Sequence, residues 1–389
     1  MKILSIFGTR PEAIKMAPLV RMLSAQNDIA SRVCVTGQHR EMLDQVLDVF
    51  EIEPQHDLSI MRPNQTLTSI TTAILNGIPE VLEAEKPDWV LVHGDTTTSM
   101  AAAMAAFYAR IPVGHVEAGL RTGNMDSPWP EEMNRSIVDR ISNLMFAPTS
   151  SSRGNLLAEN LDASRIAVTG NTVIDALHFA RQKVKQPALR NKFEEQFEFL
   201  DAGKKLILVT AHRRESFGDG IVNIGKALRR LAARDDIEIL YPVHPNPNIK
   251  LPVTAALAGL KNVHLIEPQD YLPFVYLMDR AHMILTDSGG VQEEAPALGK
   301  PVLVMRDTTE RPEAVAAGTV AIIGTSEEAI FSNTIRVLDD AHLYRRFSQA
   351  QNPYGDGKAS LRILTALRHG AVAPEAQFVP ATSFKEAAE

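Results

Sequence analysis

Four ionisable side chains lie in or near short polar loops that follow strongly apolar segments of the chain. Asp95 follows WVLVHG, Glu117 follows IPVGHV and His212 follows LILVTA, while Glu131 comes slightly later, in SPWPEE. In a parallel α/β sheet, such loops line the crevice at the carboxyl ends of the strands, where ligands bind. Three carboxylates and a histidine converging there indicate proton transfer beside a developing positive charge.

Each carboxylate also has a structural explanation. Asp95 could cap the helix expected from Thr98 onward. Glu131 lies in the acidic first turn of a helix after Pro130, where carboxylates favour the helix dipole. Glu117 lies in the Gly-rich segment HVEAGLRTG, where a carboxylate has no obvious packing role. Taken singly the structural explanations prevail, but the joint placement at strand ends favours function.

His212 is the histidine whose position best suits chemistry. It follows a predicted strand and precedes Arg213 and Arg214. Cationic neighbours disfavour the imidazolium form, so we expect a neutral imidazole near phosphate. His244, in YPVHPNPN, is a second candidate, although the prolines around it indicate a loop with a mainly structural role.

Two further loops have the composition of anion-binding turns. In FGTRPEAIK, Pro11 suits the first position of a helix, and Arg10 and Lys15 would flank its N-terminus. A tight turn with solvated basic residues explains this segment equally well. Only one glycine is present, so the loop is not GxGxxG and no dinucleotide cofactor is indicated.

The second anion-binding turn lies in TDSGGVQEE, where Ser288, Gly289 and Gly290 open a helix after a strand. Paired glycines let backbone N–H groups approach a phosphate, and Ser288 can cap the helix or bind the ligand. Glu294, one turn later, is predicted to bind the ribose hydroxyls of a nucleotide. Its alternative role is to favour the helix dipole.

Apolar segments alternate with helical segments along the chain, which predicts α/β architecture with parallel sheets covered by helices. Strands are predicted at Lys2–Phe7, Ser31–Thr36, Trp89–His93, Val113–Glu117, Leu144–Ala147, Lys205–Thr210, Ile237–Val243, Val263–Ile266, Met283–Thr286 and Val302–Met305. Helices are predicted at Glu12–Ser24, Arg40–Phe50, Thr66–Glu85 and Thr98–Ala109.

The two halves of the chain repeat the same pattern, which favours two Rossmann-like domains over one large sheet. Residues 1–170 are predicted to form the first domain, joined by a C-terminal helix at about 358–370 that crosses back to it. The second domain is predicted at residues 171–357. Residues 372–389 are small, polar and proline-containing, and are predicted to be a poorly ordered tail.

Composition excludes several classes of function. The net charge is −7, which disfavours broad affinity for nucleic acid or an anionic membrane. The single cysteine, Cys34, allows neither an intrachain disulfide nor a cysteine-rich zinc site, and no metal is expected. No apolar segment approaches the ~20 residues that span a bilayer, and the N-terminus does not read as a signal peptide. We therefore expect a cytoplasmic protein.

Many segments of the chain, from Met1 to about Arg368, resemble the bacterial non-hydrolysing UDP-N-acetylglucosamine 2-epimerases. The segments are FGTRPEAIKMAPL, VTGQHREMLDQV, HGDTTTS, GHVEAGLRTG, PEEMNR, GNTVIDAL, HRRESFG, YPVHPNPN, TDSGGVQEEAP, RDTTERPEA and NPYGDG. The resemblance implies a fold of the glycosyltransferase-B type, two Rossmann-like domains facing a deep cleft, and a homodimer. It also implies reversible conversion of UDP-N-acetylglucosamine into UDP-N-acetylmannosamine for surface polysaccharides, without a cofactor.

The resemblance also implies roles for individual residues. The catalytic residues would be Asp95, Glu117, Glu131 and His212. The residues that bind UDP-N-acetylglucosamine and UDP would be Arg10, Lys15, Asp95, Glu117, His212, Gln269, Phe274, Ser288, Gly289, Gly290, Glu294 and Arg311. Some members are activated by substrate in a neighbouring site, to which Gln38, Gln65, Glu131, Arg213 and His244 correspond. Glu41 and Asn64 depart from that pattern.

Other functions stay open. A retaining glycosyltransferase would share the diphosphate loop and Glu294 but need fewer acids opposite them. A hydrolysing epimerase would release UDP and free sugar, and a non-catalytic UDP-sugar sensor would need neither the acids nor His212. A dehydrogenase is disfavoured because GxGxxG is absent.

Overall fold

The chain divides into two compact units in the computed structural model, which describes residues 1–37, 40–62, 64–213 and 216–378. Within these residues the first unit comprises Met1–His178 and the chain from Tyr354 onward, and the second comprises Phe179–Pro353. The described helices include none that is both long and apolar enough to cross a membrane.

The first unit contains a parallel sheet of seven strands covered by helices. Its strands are β1 (Lys2–Phe7), β2 (Ala30–Val35), β3 (His56–Asp57), β4 (Trp89–His93), β5 (Val113–Val116), β6 (Leu144–Ala147) and β7 (Ile166–Val168). Its helices are α1 (Arg10–Ser24), α2 (Arg40–Phe50), α3 (Leu67–Glu85), α4 (Thr97–Tyr108), α5 (Glu131–Ile141), α6 (Ser150–Ala158) and α7 (Thr172–Val184), of which α7 runs into the second unit.

The strand order of this sheet is β3-β2-β1-β4-β5-β6-β7, and every pair is parallel. Strands of a parallel sheet are buried on both faces, which explains why they read as continuous apolar segments. Leu4, Ile6, Val90 and Val92 lie in a fully buried core together with the alanine-rich face of α4.

The second unit contains a parallel sheet of six strands. Its strands are β8 (Lys205–Thr210), β9 (Ile237–Pro242), β10 (Val263–Ile266), β11 (Met283–Thr286), β12 (Val302–Val304) and β13 (Val320–Ile322). Its helices are α8 (Pro187–Gln196), α9 (Asp219–Leu231), α10 (Pro247–Leu257), α11 (Tyr271–Arg280), α12 (Gly289–Glu294), α13 (Pro312–Ala316), α14 (Glu327–Asp339) and α15 (Ala341–Gln349).

The order of the second sheet is β10-β9-β8-β11-β12-β13, again parallel throughout. With strands renumbered from the start of each unit, both sheets contain the order 3-2-1-4-5-6 that defines Rossmann-type dinucleotide folds. The predicted fold class, two Rossmann-like α/β units, is confirmed.

A last helix, α16 (Ala359–His369), returns the chain to the first unit, where it packs on α1. Asp175 holds its start by accepting hydrogen bonds from the backbone N–H groups of Ala359 and Ser360, at 3.1 and 2.8 Å. Asp175 itself belongs to the first unit. The boundary between the two units falls after residue 178, whereas the sequence predicted it at residue 170.

The segment after α16 is more ordered than its composition predicts. Residues 372–378, assigned from sequence to a poorly ordered tail, lie against β7: the Gln377 side chain accepts a hydrogen bond from the Val168 N–H at 2.9 Å, and the N–H of Phe378 donates to the Val168 carbonyl. The Phe378 side chain is buried. The rest of the predicted tail, residues 379–389, lies outside the described residues.

Candidate active site

The loops after β1 and β4 lie where the strand order of the first sheet reverses. β1 and β4 are neighbours, but the chain continues from them to opposite sides, and ligands of doubly wound sheets bind at such a point. Buried Glu12 ties the two loops together. It accepts the N–H groups of Gly8 and Thr9 (3.1 and 2.8 Å) and the hydroxyls of Thr96 and Ser99 (2.7 and 3.0 Å).

Glu117 follows β5 in a backbone conformation that side chains rarely adopt, with φ of 68°. A left-handed conformation costs about 1–2 kcal/mol for a residue with a Cβ. Its carboxylate is only 8% exposed, and Oε1 accepts hydrogen bonds from Nδ2 of Asn171 at 2.7 Å and from Nζ of Lys15. Strained residues cluster at active sites, so this conformation supports a functional role for Glu117.

Asp95 lies in the turn directly after β4 and is held by α5. Nη2 of Arg135 lies 3.1 Å from its carboxylate, and Nδ2 of Asn134 donates to its carbonyl at 2.8 Å. Burial raises the pKa of the Asp95 carboxyl, the negative charges of Glu117 and Glu131 add to this shift, and Arg135 opposes it. Asp95 is therefore suited to carry a proton.

The other residues predicted in the first unit take different positions. Glu131 is the first residue of α5, half-buried, and its charge acts on Asp95. Lys15, on α1, binds Glu117. Arg10 is the first residue of α1 and is half-buried, and it makes no hydrogen bond or ion pair with the described residues. The structure thus brings Asp95, Glu117 and Lys15 together beside the N-terminus of α5.

His93 is a residue of this cluster that the sequence analysis missed. Its side chain is 4% exposed, and its Nε2 lies 3.5 Å from Oε2 of Glu117. Neither ring nitrogen has a hydrogen-bond partner among the described residues. Burial lowers the pKa of His93 to about 3, so the imidazole is neutral. The available signal was a polar residue ending the otherwise apolar strand WVLVH.

His212 lies at the corresponding reversal of the second sheet, where β8 and β11 are neighbours. Buried Asp287, directly after β11, accepts the N–H groups of His212 and Arg213, both at 2.7 Å. Its other oxygen lies 3.3 Å from Nδ1 of His212. Burial lowers the pKa of His212, and Arg213 and His244 reinforce this shift while Asp287 opposes it.

The loop Ser288–Gly290 follows Asp287 at the start of α12. Ser288 is the N-cap residue, yet its side chain makes no capping hydrogen bond. A Cβ added at Gly289 would lie 3.2 Å from a Glu310 oxygen and within 3.7 and 3.8 Å of guanidinium nitrogens of Arg213 and Arg311. Two arginines therefore flank the backbone of this loop, an arrangement that favours the binding of a phosphate.

Glu294 is the last residue of α12, and Arg311 directly precedes α13. Nε of Arg311 donates to the carboxylate of Glu293. The hydroxyl of Tyr271, the first residue of α11, lies 3.5 Å from Oε2 of Glu294. Glu294 is thus positioned by α11, and Arg311 by α12.

Gln269 and Phe274 lie just before and within α11. The side chain of Gln269 accepts a hydrogen bond from Nε2 of Gln196 at 3.1 Å and donates to the Glu267 carbonyl at 2.7 Å. Phe274 is half-buried in the helix. Both residues belong to the second unit, as do His212 and the loop Ser288–Gly290.

The residues predicted for an activating site come from both units of the chain. His244 stacks on His212, with ring centroids 6.1 Å apart, and Arg213 lies beside Gly289. Gln65 instead bonds within its own loop, to the Ile60 carbonyl and the Arg62 N–H. Gln38 lies outside the described residues.

A metal site is not found among the described residues, in which no three or more His, Cys, Asp or Glu side chains are grouped suitably. The candidate functional residues form two sets, one in each unit. The first unit supplies carboxylates with a lysine and a buried histidine, and the second supplies a histidine with arginines around a glycine loop.

Comparison with known proteins identifies what these sets resemble. The sequence model of the family described as UDP-N-acetylglucosamine 2-epimerase matches residues 21–368. A UDP-N-acetylglucosamine 2-epimerase of Yersinia pestis is 59% identical over 371 residues, which cover 95% of this chain and 99% of the relative.

Solved structures give the same result. The crystal structure of UDP-GlcNAc 2-epimerase from Neisseria meningitidis bound to UDP-GlcNAc is 54% identical, with a TM-score of 0.86, and the match covers 95% of this chain and 100% of that one. The UDP-GlcNAc 2-epimerase of Methanocaldococcus jannaschii, in complex with UDP-GlcNAc and UDP, is 34% identical with a TM-score of 0.76. The match covers 95% of this chain and 100% of that one.

Proposed function

The chain belongs to the UDP-N-acetylglucosamine 2-epimerase family, and from this premise we propose that it interconverts UDP-N-acetylglucosamine and UDP-N-acetylmannosamine without hydrolysing either. The names of the relatives support the substrate. The carboxylates around Lys15 support proton transfer at carbon 2 of the sugar.

The proposed path begins with the loss of UDP, because carbon 2 has no adjacent carbonyl and its proton is barely acidic. The C1–O bond breaks, its electron pair leaves with UDP, and carbon 1 becomes oxocarbenium-like. A base takes the proton from carbon 2, and the C–H electron pair forms the double bond of 2-acetamidoglucal. UDP then adds back to carbon 1 while an acid protonates the opposite face of carbon 2.

The observation that carries this proposal is the fixed carboxylate of Glu117. Carboxylates stabilise oxocarbenium-like centres in glycosidases. Lys15 and Asn171 both donate to Oε1, which favours the charged form and holds the group in one orientation. The other oxygen, Oε2, is turned toward neutral His93. We therefore assign Glu117 as the base that removes the proton from carbon 2.

Asp95 is the acid in this assignment. A pair of carboxyls in different surroundings can divide into an acid and a base. The pKa of Asp95 is raised, chiefly by burial, and it lies beside the charged Glu117. Glu131 adds negative charge near Asp95, and the positive charge of Lys15 partly offsets it. The cluster can therefore stabilise a cation while Glu117 stays ionised as the base.

UDP is assigned to the second unit. The loop Ser288–Gly290 would bind the diphosphate through backbone N–H groups, with Arg213 and Arg311 flanking it. Glu294 would bind the ribose hydroxyls, and Gln269 and Phe274 would bind the uracil ring. His212, kept neutral, would donate a hydrogen bond to the leaving phosphate. Arg10, in the first unit, would also bind the UDP-sugar.

Epimerisation in deuterated water is expected to place deuterium at carbon 2 of both UDP-sugars, because the reaction is reversible and the hydrogen delivered to either face comes from a carboxyl that exchanges with solvent. Proton NMR of the two sugars measures this, with a protein-free incubation as control. Epimerisation that keeps the original hydrogen contradicts the mechanism. Free N-acetylmannosamine would indicate hydrolysis, sugar transfer that requires an acceptor would indicate a glycosyltransferase, and binding without turnover would indicate a sensor.

Replacing Arg10 with alanine is expected to weaken the affinity for UDP-N-acetylglucosamine by roughly tenfold or more, since a hydrogen bond to a charged group contributes about 1.5–3 kcal/mol. Titration calorimetry measures this. Arg21→Ala is the matched control, because Arg21 lies on the same helix but binds the Phe50 carbonyl. Equal affinities for Arg10→Ala and wild type would remove Arg10 from the site.

Further features of the family are proposed on resemblance alone. They are a homodimer, a cytoplasmic location, a role in surface polysaccharide synthesis, and activation by substrate through Gln38, Gln65, Arg213 and His244. Of the activating residues, His244 stacks on His212, which supports coupling between such a site and the proposed catalytic histidine.

A further inference from the structure

A buried histidine–carboxylate pair lies directly beneath the acid cluster of the first unit. His115, on β5, and Asp139, on α5, both have side chains with no exposed surface. Nδ1 of His115 lies 2.6 Å from a carboxylate oxygen of Asp139. Nε2 of the same ring lies 2.8 Å from the carbonyl oxygen of Gly94. The imidazole thus bridges α5 and the loop after β4.

The second oxygen of Asp139 holds a different loop. It accepts the N–H of Gly119 at 3.2 Å and lies 2.8 Å from Nη1 of Arg121. Arg121 is fixed in turn by Glu159, through hydrogen bonds of 2.6 and 2.9 Å. Burial opposes the charge on Asp139, but His115 and Arg121 outweigh it and lower its pKa. The carboxylate is therefore ionised and fully engaged.

These contacts join the three segments that carry the acids. Gly94 immediately precedes Asp95, and Gly119 lies two residues after Glu117. Asp139 is on α5, the helix that begins with Glu131 and whose Asn134 and Arg135 bind Asp95. Helix α5 therefore holds the Asp95 loop from two sides, and Asp139 adds the Glu117 loop to the same rigid element.

We propose that Asp139, acting through His115 and the Gly119 amide, is a positioning residue that fixes the separation between the Asp95 and Glu117 carboxyls. The proposal rests on the proposed function, in which these two groups act on opposite faces of one carbon. Neither Asp139 nor His115 touches the reacting atoms in that assignment. Because a displacement of about 1 Å can cost a factor of about 100 in rate, the network sets turnover.

Two substitutions of His115 separate its contacts. The amide nitrogen of asparagine can occupy the place of Nδ1, so His115→Asn keeps the donor to Asp139 and loses the contact with Gly94. The amide nitrogen of glutamine can reach the place of Nε2, so His115→Gln keeps the hydrogen bond to the Gly94 carbonyl and loses the one to Asp139. For each folded variant, we expect kcat to fall by about 10–100-fold while KM stays within about threefold.

The release of intermediate distinguishes positioning from a general loss of stability. A misaligned acid re-protonates the glycal slowly, so more 2-acetamidoglucal and UDP should escape per epimerisation than in wild type. His56→Asn is the matched control, because His56 also pairs with a carboxylate of the first unit, Glu85 at 2.8 Å, outside the acid cluster. It should lower the melting temperature without changing kcat or glycal release.

The inference is overturned if folded His115→Asn or His115→Gln has kcat and glycal release within twofold of wild type, whatever its melting temperature. Should one variant fail to fold, the other decides the question, and Asp139→Asn provides a third measurement of glycal release. The outcome is separable from that of the proposed function. Wild-type enzyme that incorporates no deuterium at carbon 2 refutes the mechanism, whereas normal exchange with unaffected variants refutes only the positioning role.

Discussion

Replacing Glu117 with glutamine is expected to lower kcat by about 10³-fold, which lies within the range of 10²–10⁴ typical of a lost general base. The amide cannot accept the proton from carbon 2, but it retains an oxygen that can accept hydrogen bonds from Lys15 and Asn171. The backbone strain at this position is unchanged. UDP affinity, assigned to the second unit, should stay within about threefold of wild type.

Steady-state kinetics and titration with UDP test this prediction together. Glu85→Gln is the matched control, because Glu85 is another poorly exposed carboxylate of the first unit, bound to Lys2 and His56. It should reduce stability and leave kcat unchanged. Turnover by Glu117→Gln within threefold of wild type would remove Glu117 from the chemistry.

Replacing Gly119 with alanine is expected to destabilise the protein by about 3 kcal/mol. Gly119 has φ of 84°, which costs about 1–2 kcal/mol for a residue with a Cβ. The new Cβ would also lie 2.3 Å from the Ser152 carbonyl oxygen and 2.9 Å from Leu156, both on α6, and overpacking of this kind costs about 1–3 kcal/mol more.

Urea unfolding of Gly119→Ala and Gly123→Ala separates these two contributions. Gly123 lies, like Gly119, in the segment between β5 and α5 and has φ of 75°, but an added Cβ there meets nothing within 4 Å. Its alanine variant should therefore lose only about 1–2 kcal/mol, the cost of the backbone conformation. Equal losses in the two variants would show that contact with α6 is unimportant.

Strands of the two sheets could be predicted from sequence where they are buried on both faces. The segments KILSIF and WVLVH are mainly apolar, and the strands have the predicted bounds. By contrast, β3, β7 and β13 were missed. They have two or three residues each and all three lie at sheet edges, so tertiary pairing and not local pattern defines them.

The placement of candidate residues could be predicted where they come shortly after a strand. Asp95 and His212 occupy such positions, and the strand order places them at the reversals of their sheets. Asn171 and Arg135 lie 54 and 40 positions from the carboxylates that they contact. No local spacing reports such contacts, because they depend on where the folded first unit places α5 and the loop after β7.

The return of α16 to the first unit also has a consequence for biosynthesis. Residues 1–178 leave the ribosome long before Ala359–His369 is synthesised. Until then, the surface of α1 that α16 covers in the finished fold is exposed to water. The second unit, continuous from Phe179 to Pro353, faces no such delay. Chaperone demand should therefore be greatest during the interval in which the amino-terminal half lacks its final helix.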